Sequence, residues 1–137
     1  MSQASPLSQL PYQVTLQEFL RSAAAVTAGG ACCVFVIDDA IPLAARAGYA
    51  ALVIAYARAD EPVYITDDGS ATLLIRDGGV AAGRIAAGRV IEQMRRFALH
   101  QTLRAGVAAL EGAAGTAMER ARDAAAGAPP GEVTQAG

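Results

Sequence analysis

The chain has 137 residues, of which 53% are hydrophobic but only 5% aromatic, and its net charge is −2. That length suits one domain with a core, and the charge leaves no basic footprint for a nucleic-acid polymer. No uncharged apolar run reaches the roughly 18 residues that membrane insertion needs.

Met1 to Ser5 is polar and reads as a frayed start, with no basic region followed by an apolar stretch, so no secretory signal is expected. From Gln13 to Ala28 the apolar positions Val14, Leu16, Phe19, Leu20, Ala23, Ala24 and Val26 fall near helical spacing. Thr15 suits the N-cap, with Glu18 three residues on as in a capping box. Gly29-Gly30 ends this helix, and Ala31 to Ile37 reads as a β-branched run typical of a strand buried on both faces. Cys32 and Cys33 are adjacent in it, so their side chains point to opposite faces and do not pair. Buried free thiols fit a cytoplasmic protein.

Asp38-Asp39 stops the strand, and Leu43 to Ala59 returns to a helical pattern with Tyr49, Leu52, Val53 and Tyr56 as its buried stripe. Pro42 fits the first turn, where its missing N–H costs nothing. Val63–Thr66 and Ala71–Ile75 then form a hairpin around Asp67-Asp68-Gly69-Ser70, because a turn that needs positive φ favours Asp-Gly. Arg76 to Gly79 leads into a long helix over roughly Val80 to Leu110, continuing toward Ala126, with Ala128 onward as a disordered tail. The boundaries are therefore a 1–12 N-terminal segment, a 13–110 domain with a long terminal helix, and a 111–137 Ala-rich helical extension and tail. Leu103, Val107 and Leu110, with Ala114, Ala117 and Ala121, form a short heptad-like seam. They are the interface candidates for a homodimer or another protein partner.

The order α-β-α-β-β-α makes the fold class a small α/β sandwich. In this order the chain resembles a degenerate GGDEF domain, the catalytic module of bacterial diguanylate cyclases. Ser5 to Tyr12 looks like a worn form of the family's opening motif, and Val34 to Asp39 matches its first strand, which ends in a metal-binding Asp. Asp67-Asp68-Gly69-Ser70-Ala71 lies without a gap on the G-G-[DE]-E-F signature. The likeness runs from about Pro6 to Phe97, and it implies a truncated nucleotide-cyclase palm with a sheet of about three strands.

The departures carry the chemistry. Cyclization of GTP on this fold uses two metal ions held by the strand-end Asp and the signature's third residue. Asp38 matches the first, whereas Gly69 stands at the second and has no side chain. Asp67 and Asp68 replace two glycines that let the backbone approach the nucleotide, and their carboxylates repel a triphosphate. The family's nucleotide-contacting segment after the strand is also missing. The resemblance thus implies no catalysis, no resident cofactor and no catalytic residues, with Asp38 and Asp39 as weak metal candidates.

The family's product site, R-x-x-D ahead of the signature, falls on Arg58-Ala59-Asp60-Glu61. Arg58 can clamp a phosphate or guanine edge, and Glu61 can accept guanine's N–H groups. These two are the candidate cyclic di-GMP residues; a solvated helix end, with Arg at the negative end of the dipole, is the plainer account of the pair and outweighs the ligand reading. His100 reads as a surface or interface residue, and no serine has partners for nucleophilic catalysis. The expected function is a non-catalytic regulatory or adaptor domain that works by protein contact in bacterial cyclic di-GMP signalling. The alternative is a ligand-independent dimerisation scaffold. Reading Val34 to Arg46 as a hairpin would make that scaffold resemble the Roadblock dimers, against which Pro42 and the short helix left over both argue.

Overall fold

The computed structural model describes residues 13–26, 29–57, 62–136. Strands β1 (Gln13–Val14), β2 (Ala31–Ile37), β3 (Val63–Ile65), β4 (Ala71–Ile75), β5 (Leu103–Ala109) and β6 (Val133–Gln135) form one sheet in the order β1-β3-β4-β2-β5-β6. Helices α1 (Leu16–Ala24), α2 (Leu43–Ala57), α3 (Gly79–Arg95) and α4 (Ala114–Ala126) cover it. The α/β class is as expected. Among the described residues no helix is long and apolar enough to cross a membrane.

Central β2 is antiparallel to both neighbours, pairing Ala31–Phe35 with β4 and its full length with β5. Its continuous apolar sequence follows from this position, since each face meets a core. On one side Cys33, Phe35 and Ile37 pack with Val53 of α2 and Val90 and Met94 of α3. On the other, Cys32 and Val34 pack with Phe19 of α1 and Ala117 and Ala121 of α4. The two thiols are free and lie in opposite layers. Burial pushes both up, that of Cys32 to about 12, so they stay protonated at neutral pH.

The capping box forms as its spacing predicts: the Glu18 amide donates to Thr15 Oγ1 at 3.1 Å and the Thr15 amide donates to Glu18 Oε1 at 3.0 Å. Helix α1 starts after it, because Gln13–Val14 is drawn into parallel pairing with β3. Strand β2 stops at Ile37 and α2 runs for 15 residues, so no hairpin forms over Val34 to Arg46 and the Roadblock-like arrangement does not arise.

The long helix is the main correction. Helix α3 ends at Arg95. The Ala98 amide donates to the Arg95 carbonyl at 3.0 Å and the Leu99 amide to the Met94 carbonyl at 3.0 Å, a Schellman closure with Ala98 at φ 58°. Phe97, just past the helix end, is 58% exposed and stacks on Tyr56 with ring centroids 6.5 Å apart.

A 3₁₀ turn (His100–Thr102) leads into β5, so Leu103 and Val107 lie in a strand and are fully buried against the α2–α3 layer. Leu110 follows the strand and packs in the other layer. The three do not form a helical seam; Ala117 and Ala121 do lie on one helix face, but that face is buried on the protein's own sheet. The expected extension and tail instead supply α4 and β6, which pairs in parallel with β5. The sheet has six strands, rather than the three of a truncated palm.

Candidate functional site

The pairing of Phe35 with Ala71 brings the end of β2 and the β3–β4 turn to one end of the sheet. The sequence-derived acidic residues meet there. The Asp38 carboxylate accepts from the Ala40 amide at 2.8 Å, and its carbonyl accepts from the Ile41 amide at 3.0 Å, so Asp38 shapes its own turn. Asp38, Asp39 and Asp67 are all exposed.

In the hairpin turn the Gly69 amide donates to the Thr66 carbonyl at 2.9 Å, and Gly69 sits at φ +85°, a left-handed conformation that strains residues bearing a Cβ. Asp68 Oδ1 accepts from the Ser70 amide at 3.1 Å and from the Thr66 hydroxyl. Asp68 Oδ2 accepts from Arg122 Nη2 of α4 at 2.9 Å. Partial burial opposes ionisation of this carboxyl, but the donors on Thr66, Ser70 and Arg122 outweigh it and hold the group well below the usual carboxylate range. Asp68 is therefore a fixed, neutralised anion.

Arg46 completes the site. It extends from the first turns of α2, where Nε donates to the Ile41 carbonyl at 3.0 Å, Nη1 to the Asp68 carbonyl at 3.0 Å and Nη2 to the Asp39 carbonyl at 3.5 Å. One guanidinium ties the loop after β2 to the hairpin turn. A Cβ on Gly69 would stand 2.7 Å from Arg46 Cβ, so the space in front of the turn is already filled. Sequence reading missed Arg46 and Arg122, because both reach Asp68 across the fold and leave no local pattern.

A two-metal centre does not fit this donor set. Asp38 is engaged in its own turn, Gly69 offers no ligand, and the group facing the turn is a cation. Among the described residues no group of three His, Cys, Asp or Glu side chains can hold a metal ion. Asp38 and Asp39 lack a third partner there. Arg58 and Glu61, the cyclic di-GMP candidates, and the worn motif at Ser5 to Tyr12 lie outside the described residues.

No protein-family model matches the sequence, and no curated protein matches it. Among solved structures the chain is similar to the GGDEF domain of FimX from Pseudomonas aeruginosa, with TM-score 0.71 and 17% identity over 98% of this chain and 99% of that one. It is also similar to a coiled-coil and GGDEF-domain structure of DgcB from Caulobacter crescentus in complex with c-di-GMP. There the TM-score is 0.66 and the identity 17% over 97% of this chain and 85% of that one. At such identity the likeness is one of fold: the chain has the architecture of GGDEF domains.

Proposed function

We propose that this chain is a non-catalytic GGDEF-like domain, cytoplasmic and bacterial, that acts by protein contact in cyclic di-GMP signalling. The observation that carries the proposal is Arg46, whose guanidinium spans the carbonyls of Ile41, Asp39 and Asp68 in front of the signature-like turn. Metal-assisted cyclization needs anionic ligands at that place, and this chain puts a cation and a glycine there. The fold likeness to FimX and DgcB domains supports the signalling context.

The test is incubation with GTP and Mg²⁺ or Mn²⁺. Wild type forms no cyclic di-GMP, and Gly69→Glu does not confer activity, because the new side chain meets Arg46 and inherits a left-handed φ. Product above a heat-killed control would overturn the reading.

Cyclic di-GMP as an effector rests on Arg58 and Glu61, a cation beside a carboxylate in the family's register. Losing a charge-assisted contact costs about 1.5–3 kcal/mol, so Arg58→Ala is expected to weaken binding by roughly one to two decades in a calorimetric titration. Equal affinity for both proteins discards this site. A wild type that takes up no ligand leaves the adaptor working without an effector.

A further inference from the structure

Strand β6 forms one edge of the sheet, with β5 on its inner side only. The Ala105 amide donates to the Glu132 carbonyl at 3.0 Å, and the Ala136 amide to the Val107 carbonyl at 2.8 Å. In a parallel ladder these two bonds set the alternation, so Thr134 turns its N–H and C=O toward β5. Val133 and Gln135 turn theirs outward, and no described residue takes them up. Within Val133–Gln135 there is neither a charge nor a proline to blunt the edge.

The surroundings limit what can pair there. Helices α3 and α4 pack on the two faces of β6, while α4 rests chiefly on β5 and β2, set back from the edge. A cleft of about 390 Å³ opens between α4 and this strand, lined by Arg120, Asp123 and Ala124 of the helix and by Thr134 and Gln135. Asp123 is exposed and forms no ion pair among the described residues. Outward backbone groups that alternate along a strand are complementary to another extended backbone. A lone peptide placed there would meet water on both faces, with no layer of its own. A strand that brings its own helices would not.

We propose that β6 pairs antiparallel with β6 of a second copy of the chain, about a two-fold axis through Thr134. Val133 then lies opposite the second copy's Gln135, and each exchanges N–H and C=O with the other, since both turn these groups outward. Thr134 lies opposite the second copy's Thr134 at the position without hydrogen bonds, where side chains come closest. Threonine suits a place at which a residue must face itself, whereas a charged residue there would repel its own copy. The axis lays the two clefts side by side, so each copy brings an acid, Asp123, and a base, Arg120, to a shared space where opposite signs can meet. The added strand arrives covered by the second copy's α3 and α4, and the contact is closed and isologous. The inference rests on the reading of the domain as one that works by protein contact, and it names the surface and the partner.

Sedimentation equilibrium and backbone amide exchange followed by NMR test it on the full chain, with the GTP incubation run separately. A strand of three residues per copy makes a small contact, so the dimer should build up with concentration from tens of micromolar upward. As it does, the Val133 and Gln135 amides should become protected, whereas in dilute protein they exchange freely. Gln135→Pro removes an outward N–H from each copy and none that β5 uses. It should weaken association about tenfold or more, with the melting temperature of dilute protein little changed. Thr134→Lys sets like charges on the axis and should weaken association similarly, with part of the loss recovered in high salt. If Gln135→Pro lowers the melting temperature, Thr134→Lys and the exchange pattern decide. Protein that stays monomeric up to about a millimolar overturns the pairing, as does a dimer that leaves both amides exchanging freely or ignores both substitutions. Protection already complete in dilute monomer would give the edge to another stretch of this chain, and a co-purifying peptide found by native mass spectrometry would give it to a different protein. Either result also overturns the pairing. Cyclic di-GMP formation would instead overturn the non-catalytic reading, whatever the oligomeric state.

Discussion

Replacing Gly106 with alanine is expected to cost at least about 3 kcal/mol of stability, at the upper end of what a single added methyl does in a packed interior. Gly106 lies in β5 where α4 crosses directly above it. A Cβ there would collide with the Ala121 carbonyl oxygen and the Ala125 amide nitrogen, and would stand 3.0 Å from the Ala124 carbonyl carbon. All three are backbone atoms of one helix, so no side chain can swing aside. Helix α4 would have to lift off the sheet and expose Ala117, Ala121 and Ala125, which are buried on it. Thermal unfolding should show a melting temperature lower by on the order of 10 °C or more. The contrasting control is Gly88→Ala in α3, where the added Cβ meets nothing within 4 Å; it should stabilise by about 1 kcal/mol, the helix preference for Ala over Gly. A Gly106→Ala protein as stable as wild type would mean that α4 does not pack on β5.

Leu103→Ala should cost about 2–5 kcal/mol, the range for emptying a leucine site in a core. Leu103 is fully buried at the start of β5, opposite Ile37 in the pairing with β2. On a helical dimer seam the same substitution would weaken association and leave the monomer nearly as stable. Urea denaturation below the dissociation range separates these outcomes. A midpoint unchanged at constant slope would return Leu103 to the surface.

Among the described residues, the elements from Thr15 to Ile75 were largely legible because their signals are local. An uninterrupted β-branched run marks β2, a Thr with Glu three residues later marks the start of α1, and Asp-Gly between apolar pairs marks the hairpin. Beyond Arg95 the local signals point the wrong way. Ala98 closes α3 in the left-handed conformation, where glycine is the usual choice, and alanine otherwise reads as the strongest helix former. Leu103, Ala105 and Val107 do alternate toward one core layer, yet the alanines in and after this run favour a helix over a strand. Pairing with seven residues of β2 decides the matter, and such long-range pairing overrides propensity. Gly106, a residue type that disfavours a helix, is the one that lets α4 approach the sheet. At the candidate site, the missing side chain of Gly69 was visible in sequence, whereas the Arg46 guanidinium that fills its place was not.

The pairing of β2 also governs what happens while the chain is being made. Both of its neighbours, β4 and β5, come later in the sequence, so a strand apolar on both faces emerges from the ribosome without a partner on either edge. At about 5–20 residues per second, several seconds pass before Leu103–Ala109 can close its second side. Throughout that interval Ala31–Ile37 is the segment with most to gain from a wrong partner, another nascent copy included. The helix that follows, α2, emerges before either strand and can shelter one face of it. The order in which elements appear thus makes the early helix a guard for the strand as well as a layer of the finished domain.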